Sequence, residues 1–366
     1  MISPIAEGIA APARGKARLI LCALAAAGLG VAVLLRLCPV IFWPSLDWGD
    51  EVYQALEPAH RLVFGTGLVT WEFVAGIRSW ILPGAISVVF AAARAIGAGP
   101  AVYLPAVAIC AALLSLVPVV FTFAWCRREF GVWPAVAAAA VVAVTPEMVY
   151  FGARTLAEVV AAHVLIGAVF LLQEGKEEKP FFFEKKNQKT FGPRAYALPQ
   201  RVRQNAKVFG FFFPKKKDFL SLLAGALLGL ACALRPQIAP AALVIFAWPG
   251  TQRRWPILCG GAVMLAAAAL LDWVTLGAPG ASIWRYALVN LHGASASFGV
   301  QPWYYFLLAE AAVWGAALPV PVALCLWGAR RWALPLVAAL AVIALHMAIG
   351  HKEHRFIYPA LALCAV

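Results

Sequence analysis

The sequence predicts an all-α, polytopic integral membrane protein, and three observations carry that expectation. Of its 366 residues 63% are hydrophobic and only 13% are charged, whereas soluble domains carry roughly 25% charged residues. Apolar runs of about 18 residues or more, long enough to span a bilayer, recur along most of the chain. Lys and Arg cluster between these runs, the pattern that orients membrane helices. Residues 1–366 are therefore read as a single transmembrane domain, because such helices must pack into one bundle.

The first crossing is expected over 19–41. Arg14, Lys16 and Arg18 precede it and no small-residue cleavage site follows, so it reads as a retained helix and not as a signal peptide. Residues 44–79 are polar, with clustered Asp, Glu, Trp and His. The segment 80–97, "WILPGAISVVFAAARAIG", is apolar but short and holds Pro83 and Arg94. Further crossings are expected over 101–125, 132–149, 155–172, 219–234, 237–249, 255–276, 303–328 and 332–350, and a tenth begins at Phe356.

Basic loops decide how 80–97 sits. If it crosses, Arg127–Arg128, Arg253–Arg254, Arg330–Arg331 and the basic insert at 174–218 all fall outside. If it lies in the interface, all four groups and the N-terminus fall in the cytoplasm, as the positive-inside rule requires. The expectation is nine crossings, a tenth begun, and an interfacial helix on the non-cytoplasmic face. Residues 44–100 then form the first non-cytoplasmic loop.

The insert holds twelve Lys/Arg and five Asp/Glu, more than half of the net +13. Its "KPFFFEKKNQKTFG" and "AKVFGFFFPKKKDF" are Phe/Lys low-complexity stretches foreign to the Ala/Leu/Val-rich remainder. It is read as a cytoplasmic loop insertion or a basic loop touching anionic lipid, with no nucleic-acid partner. The eight cysteines lie in or beside apolar segments without CxxC spacing and read as small buried hydrophobes. The Ala-rich character points to a bacterial inner membrane with a periplasmic site, or an ER membrane with a lumenal one if the source is eukaryotic.

On this topology the 44–79 loop, the turn at Arg154, the 277–302 loop and "HKEHRF" (351–356) share the non-cytoplasmic face. Charges are costly inside a bilayer, so the one-sided collection predicts a site at the membrane surface. Asp50 and Glu51, soon after the first crossing, are carboxylates able to serve as general base to a hydroxyl.

Four stretches carry a resemblance: "DEVYQALEPAHRLVFGTGLVTWEF…IRSWILP", "ARTLAE" (153–158), "LDWVTLG…WRYALVNLHGASASFGVQPWYYFLL" and "HKEHRFIYP" (351–359). In this order they resemble the motifs of Alg9-like mannosyltransferases, glycosyltransferase family 22, which have the GT-C fold. "TWEF" replaces the family's frequent "TWEY", the insert interrupts the helix-rich middle, and members continue beyond the last signature.

The resemblance implies an inverting transfer of mannose from a polyprenyl- or dolichyl-phosphate donor to a glycan or glycolipid hydroxyl. It implies no cofactor, and no metal is assigned, although a divalent ion is not excluded. It makes Asp50 the expected base, with Glu51 as runner-up. Lys352 and Arg355 are expected to neutralise the phosphate, helped by His351 and His354 and oriented by Glu353. Arg78 and Arg154 are secondary phosphate candidates. Trp71 and Glu72 are expected to line the sugar site, and Asp272 and Asn290 to contact the acceptor. Trp303, Tyr304 and Tyr305 read as an interfacial aromatic belt. Arg235–Pro236 reads as a structural turn. The HxxH spacing at His351 and His354 lacks the helix and third ligand of a metal motif. A transporter is the main competing class, but the chain shows no repeated halves. A GT-C transferase for another lipid-linked sugar is the nearer alternative.

Overall fold

The computed structural model describes residues 5–176, 216–251 and 253–366. Most of the insert expected at 174–218 lies outside these. The described elements are α1 (Ile5–Phe42), α2 (Glu57–Phe64), α3 (Ile81–Ala95), α4 (Pro100–Leu114), α5 (Val117–Phe130), α6 (Val132–Val144), α7 (Pro146–Tyr150), α8 (Ala157–Lys176), α9 (Lys216–Leu234), α10 (Ala239–Ala247), α11 (Arg254–Leu276), α12 (Ala281–Leu291), α13 (Tyr305–Trp314), α14 (Pro319–Ala329), α15 (Leu334–Ala348) and α16 (Tyr358–Ala365). Short helical turns link several of them, and no strand occurs among the described residues.

Each expected crossing coincides with a helix or helix pair, but their lengths differ. Four stretches are long and apolar enough to cross a bilayer straight: Ala25–Phe42, Pro100–Phe130, Lys217–Leu234 and Arg254–Leu276. A fifth, Tyr305–Ala317 with Pro319–Ala329, is bent by 102°. The helices at Val132–Val144, Ala157–Gln173, Pro236–Ala247 and Leu334–Ala348 are shorter. A 15-residue helix rises about 22 Å, less than the roughly 30 Å of a hydrocarbon core. The nine expected crossings are therefore not nine straight rods. Prolines enter the first turns of α5, α10, α14 and α15, where a missing N–H costs least, so they divide the apolar runs.

The main core joins α8, α9, α10, α15 and α16 around Leu165, Ile166, Ile238, Ile245, Leu334 and Tyr358. Contact between α9 and α11 is set by glycines. A Cβ on Gly225 would come 2.0 Å from the Ile257 carbonyl, and one on Gly260 would come 1.9 Å from that of Leu222. Hydrogen in place of a side chain lets two apolar helices touch backbone to backbone, as in GxxxG pairs. A second core packs α3 on α2 and α4 through Ile86, Phe90 and Tyr103, which carries the short α3 alongside the 44–79 loop.

Arg36 is the most deeply buried arginine among the described residues. Arg36 of α1 is 1% exposed and donates to Ser115 Oγ at 2.9 Å and to the Ala143 carbonyl at 3.1 Å. A membrane arginine persists only with such partners, so it ties α1 to the α4 and α6 ends.

Candidate active site

Asp50 and Glu51 follow an extended Trp48 in the turn Gly49–Glu51, and Val52–Leu56 continue as a π-helix, a local widening that recurs at functional sites. Here the neighbouring carboxylates part. Glu51 turns inward and is 2% exposed. It accepts the N–H groups of Thr155 at 3.2 Å and Trp48 at 3.4 Å, and lies 3.5 Å from Arg154. Burial raises its pKa, and Arg154 and the two N–H groups act against the rise. Asp50 turns outward, its side chain 32% exposed, and meets Arg355 Nη2 at 2.5 Å.

Arg355 is the hub. Its Nε lies 2.5 Å from Glu353 and 3.7 Å from Glu158. Its guanidinium lies over the Trp48 ring at 5.0 Å and the Phe356 ring at 5.3 Å, so aromatic faces shield it. Burial opposes its charge, but Glu158, Asp50 and Glu353 outweigh that and hold its pKa above the ordinary value. Glu158 begins α8, where the helix dipole favours a carboxylate. It is 2% exposed and also pairs with Arg235 at 3.2 Å. Arg235, in the turn after α9, also lies over the Phe356 ring at 5.3 Å. The Nη1 atoms of Arg355 and Arg235 are buried without a hydrogen-bond partner.

Sequence reasoning missed Glu158 and left Arg235 as a turn residue. The signal was present: each is a charged residue at the margin of an apolar run, where a charge needs a partner. What the sequence withheld was that the two margins meet.

The other expected site residues divide into two sets. Arg78 donates twice to Glu72, at 2.7 and 3.0 Å, and lies over the Tyr286 ring at 5.3 Å. Burial works against the Arg78 charge, yet Glu72 and Tyr286 raise its pKa, with Asp50 close enough to add to this. His351 bridges the Gly299 carbonyl at 3.2 Å and Glu353 at 2.9 Å. Trp71 is exposed and stacks at 6.4 Å on Phe298, which lies 5.8 Å from His351. His351 is thereby joined through Glu353 to Arg355, and Arg78 lies near Asp50.

The second set is engaged elsewhere. Lys352 is buried and donates to the Gln301 and Ile349 carbonyls. Arg154 holds Ser45 and Asp47, donating to the Ser45 carbonyl at 2.8 Å. Asn290 bonds its own helix at Tyr286. Asp272 accepts the N–H and hydroxyl of Ser282 at 2.9 and 2.6 Å, anchoring the start of α12. His354 turns to Glu310 at 2.7 Å, so the two histidines of HxxH do not converge. His354 and Arg355 open a short 3-10 helix after the extended Glu353, and successive side chains in such a helix stand about 120° apart, which separates His354 from Arg355.

The model of the Alg9-like mannosyltransferase family matches residues 29–366. The chain belongs to that family. It is 29% identical over 325 residues to GPI mannosyltransferase 3 of Yarrowia lipolytica, covering 86% of this chain and 56% of the relative. It is 23% identical to GPI alpha-1,2-mannosyltransferase 3 of Bos taurus, covering 91% and 56%. The chain thus spans little more than half the length of these relatives. Among solved structures it resembles ArnT from Cupriavidus metallidurans bound to undecaprenyl phosphate, with a TM-score of 0.52, 15% identity, and coverage of 96% of this chain and 59% of that one. That likeness shows the fold: a GT-C helical bundle of an integral membrane protein.

Proposed function

We propose that this chain carries the catalytic centre of an inverting mannosyltransferase using a polyprenyl- or dolichyl-phosphate mannose donor. The observation that carries the reading is the Asp50–Arg355 contact, made between residues 305 positions apart. A carboxylate suited to take a proton stands against a guanidinium suited to receive a phosphate, at the meeting of four family motifs.

In the proposed step the acceptor oxygen attacks the anomeric carbon as its O–H proton passes to Asp50. The carbon–oxygen bond to phosphate breaks, and the lipid phosphate leaves with the electron pair. Positive charge fixed in advance at the developing phosphate dianion lowers the barrier. Arg355 presents its unpartnered Nη1 while Nη2 holds Asp50. The relatives' names support a GPI glycolipid acceptor and an α-1,2 product, and inversion then requires a β-linked donor. The centre is proposed to face away from the cytoplasm.

Membranes containing the chain, given radiolabelled polyprenyl-phosphate mannose and mannosylated glycolipid acceptors, are expected to form a labelled glycolipid that Asp50→Asn abolishes. Transfer only from a different lipid-linked sugar would favour the related-transferase alternative. Single cysteines at His292 and Arg331, both exposed, are expected to label from opposite faces. Labelling of both from one face would overturn the sidedness.

A further inference from the structure

His354 belongs to the same short helix as Arg355 but serves a second cluster. Its Nε2 lies 2.7 Å from Glu310 Oε1 on α13. Glu147, on α7, completes a group whose three ligand atoms all lie within 4.8 Å of one another. Glu147 is 3% exposed. Its Oε1 accepts the Trp314 indole N–H at 2.7 Å, whereas Oε2 is buried without a donor. Its carboxylate also adjoins that of Glu310. Two adjoining carboxylates, one of them buried, repel each other unless positive charge lies beside them. The Arg355 network supplies that charge with two guanidinium groups. Here there is one imidazole.

We propose that Glu147, Glu310 and His354 bind a divalent cation of the Mn²⁺ or Zn²⁺ class. Two carboxylate oxygens with one imidazole nitrogen form a donor set that suits these ions better than Ca²⁺, which prefers oxygen alone. A metal about 2.0–2.2 Å from each donor brings donors to roughly 3–3.5 Å from one another, so the three side chains would draw inward slightly. The His354 and Glu310 side chains are 20% and 16% exposed, which leaves an approach from water. The ligands come from α7, from α13 and from the turn that carries Arg355. The ion is a positioning device that fastens the Arg355 segment to two helices, and it does not touch Asp50. This site stands independently of the proposed transfer reaction.

The test uses the full chain in detergent, stripped with EDTA and titrated with Mn²⁺ while free Mn²⁺ is read by electron paramagnetic resonance. Saturable binding that Zn²⁺ displaces is expected. Glu310→Gln and His354→Gln are each expected to weaken it about tenfold or more, and Asp50→Asn to leave it intact. Thermal unfolding with and without Mn²⁺ guards against misfolded variants: the wild type shifts upward, and a variant with a cooperative transition but no shift is folded and has lost the site. No saturable binding by the wild type at millimolar Mn²⁺ or Zn²⁺ would overturn the proposal and leave the carboxylates sharing a proton. Unchanged binding by folded Glu310→Gln would overturn it equally.

Discussion

Arg355 and His354 are neighbours in sequence, yet they face two clusters of opposite character. Arg355 joins Asp50, Glu353 and Glu158, and Glu158 also joins Arg235, so that each carboxylate is answered by a guanidinium group. His354 joins Glu310 and Glu147, where acid outweighs base. The first cluster pairs acids with guanidinium groups and leaves single N–H groups without a partner; the second sets two acids beside one imidazole. One step along a single 3-10 turn is enough to assign the two side chains to different chemistry.

The largest effect expected in the first cluster is at Asp50. Asp50→Asn keeps the shape and removes the base, so turnover is expected to fall by roughly 10²–10⁴ with lipid-donor binding kept. Full activity in Asp50→Asn with a dead Glu51→Gln would move the base one residue along. That outcome would contradict the geometry, in which both Glu51 oxygens are engaged inside the protein.

Next in size is the buried triad. Glu158→Gln removes the acid that Arg235 and Arg355 share. Breaking a buried pair by deleting one partner costs about 3–5 kcal/mol, so a lower unfolding midpoint and a lost activity should appear together. A variant with wild-type stability would show that the pairing is not a structural support.

Arg355→Ala is expected to raise KM and lower kcat, since phosphate carries charge in both the ground and transition states. Arg355→Lys should restore only part of either, because a point-like ammonium lacks the planar fork that lets the guanidinium face Asp50, Glu353 and a phosphate from separate nitrogens. Equal rescue by Lys would mean that charge alone matters there.

The smallest effect is a slope. Glu51 has a raised pKa in the folded chain, so the fold binds its proton more tightly than the unfolded chain does. Its contribution is fully present below the unfolded value and is lost as pH rises through the folded one. Glu51→Gln should flatten that decline in an unfolding series against pH. An unchanged slope would place the titration elsewhere.

Much of the site was legible in the sequence. Asp50, Arg355, Glu353, His351, Glu72, Arg78 and Trp71 were all expected at one surface; the structure pairs Arg355 with Asp50 and Glu353, sets His351 on Glu353, and pairs Arg78 with Glu72. The reason is that charged residues in so apolar a chain are confined to the ends of spans, so their order along the chain nearly states their face. Lys352 and Asn290 show the limit of that logic. They stand at the same end, but backbone carbonyl groups hold them, and no one-dimensional pattern tells a carbonyl-bound lysine from a free one.

By itself the sequence determined the helical membrane class, the places where helices begin, and the family, because hydropathy, proline position and charge act locally. Only the tertiary structure decided which margins meet. Glu158 finds Arg235 and Arg355, Glu147 finds Glu310 and His354, and Asp50 rather than Glu51 faces the guanidinium. Those choices depend on helix rotation, on the close approach that Gly225 and Gly260 permit, and on the low dielectric between packed helices, where an unpaired charge is too costly to leave alone.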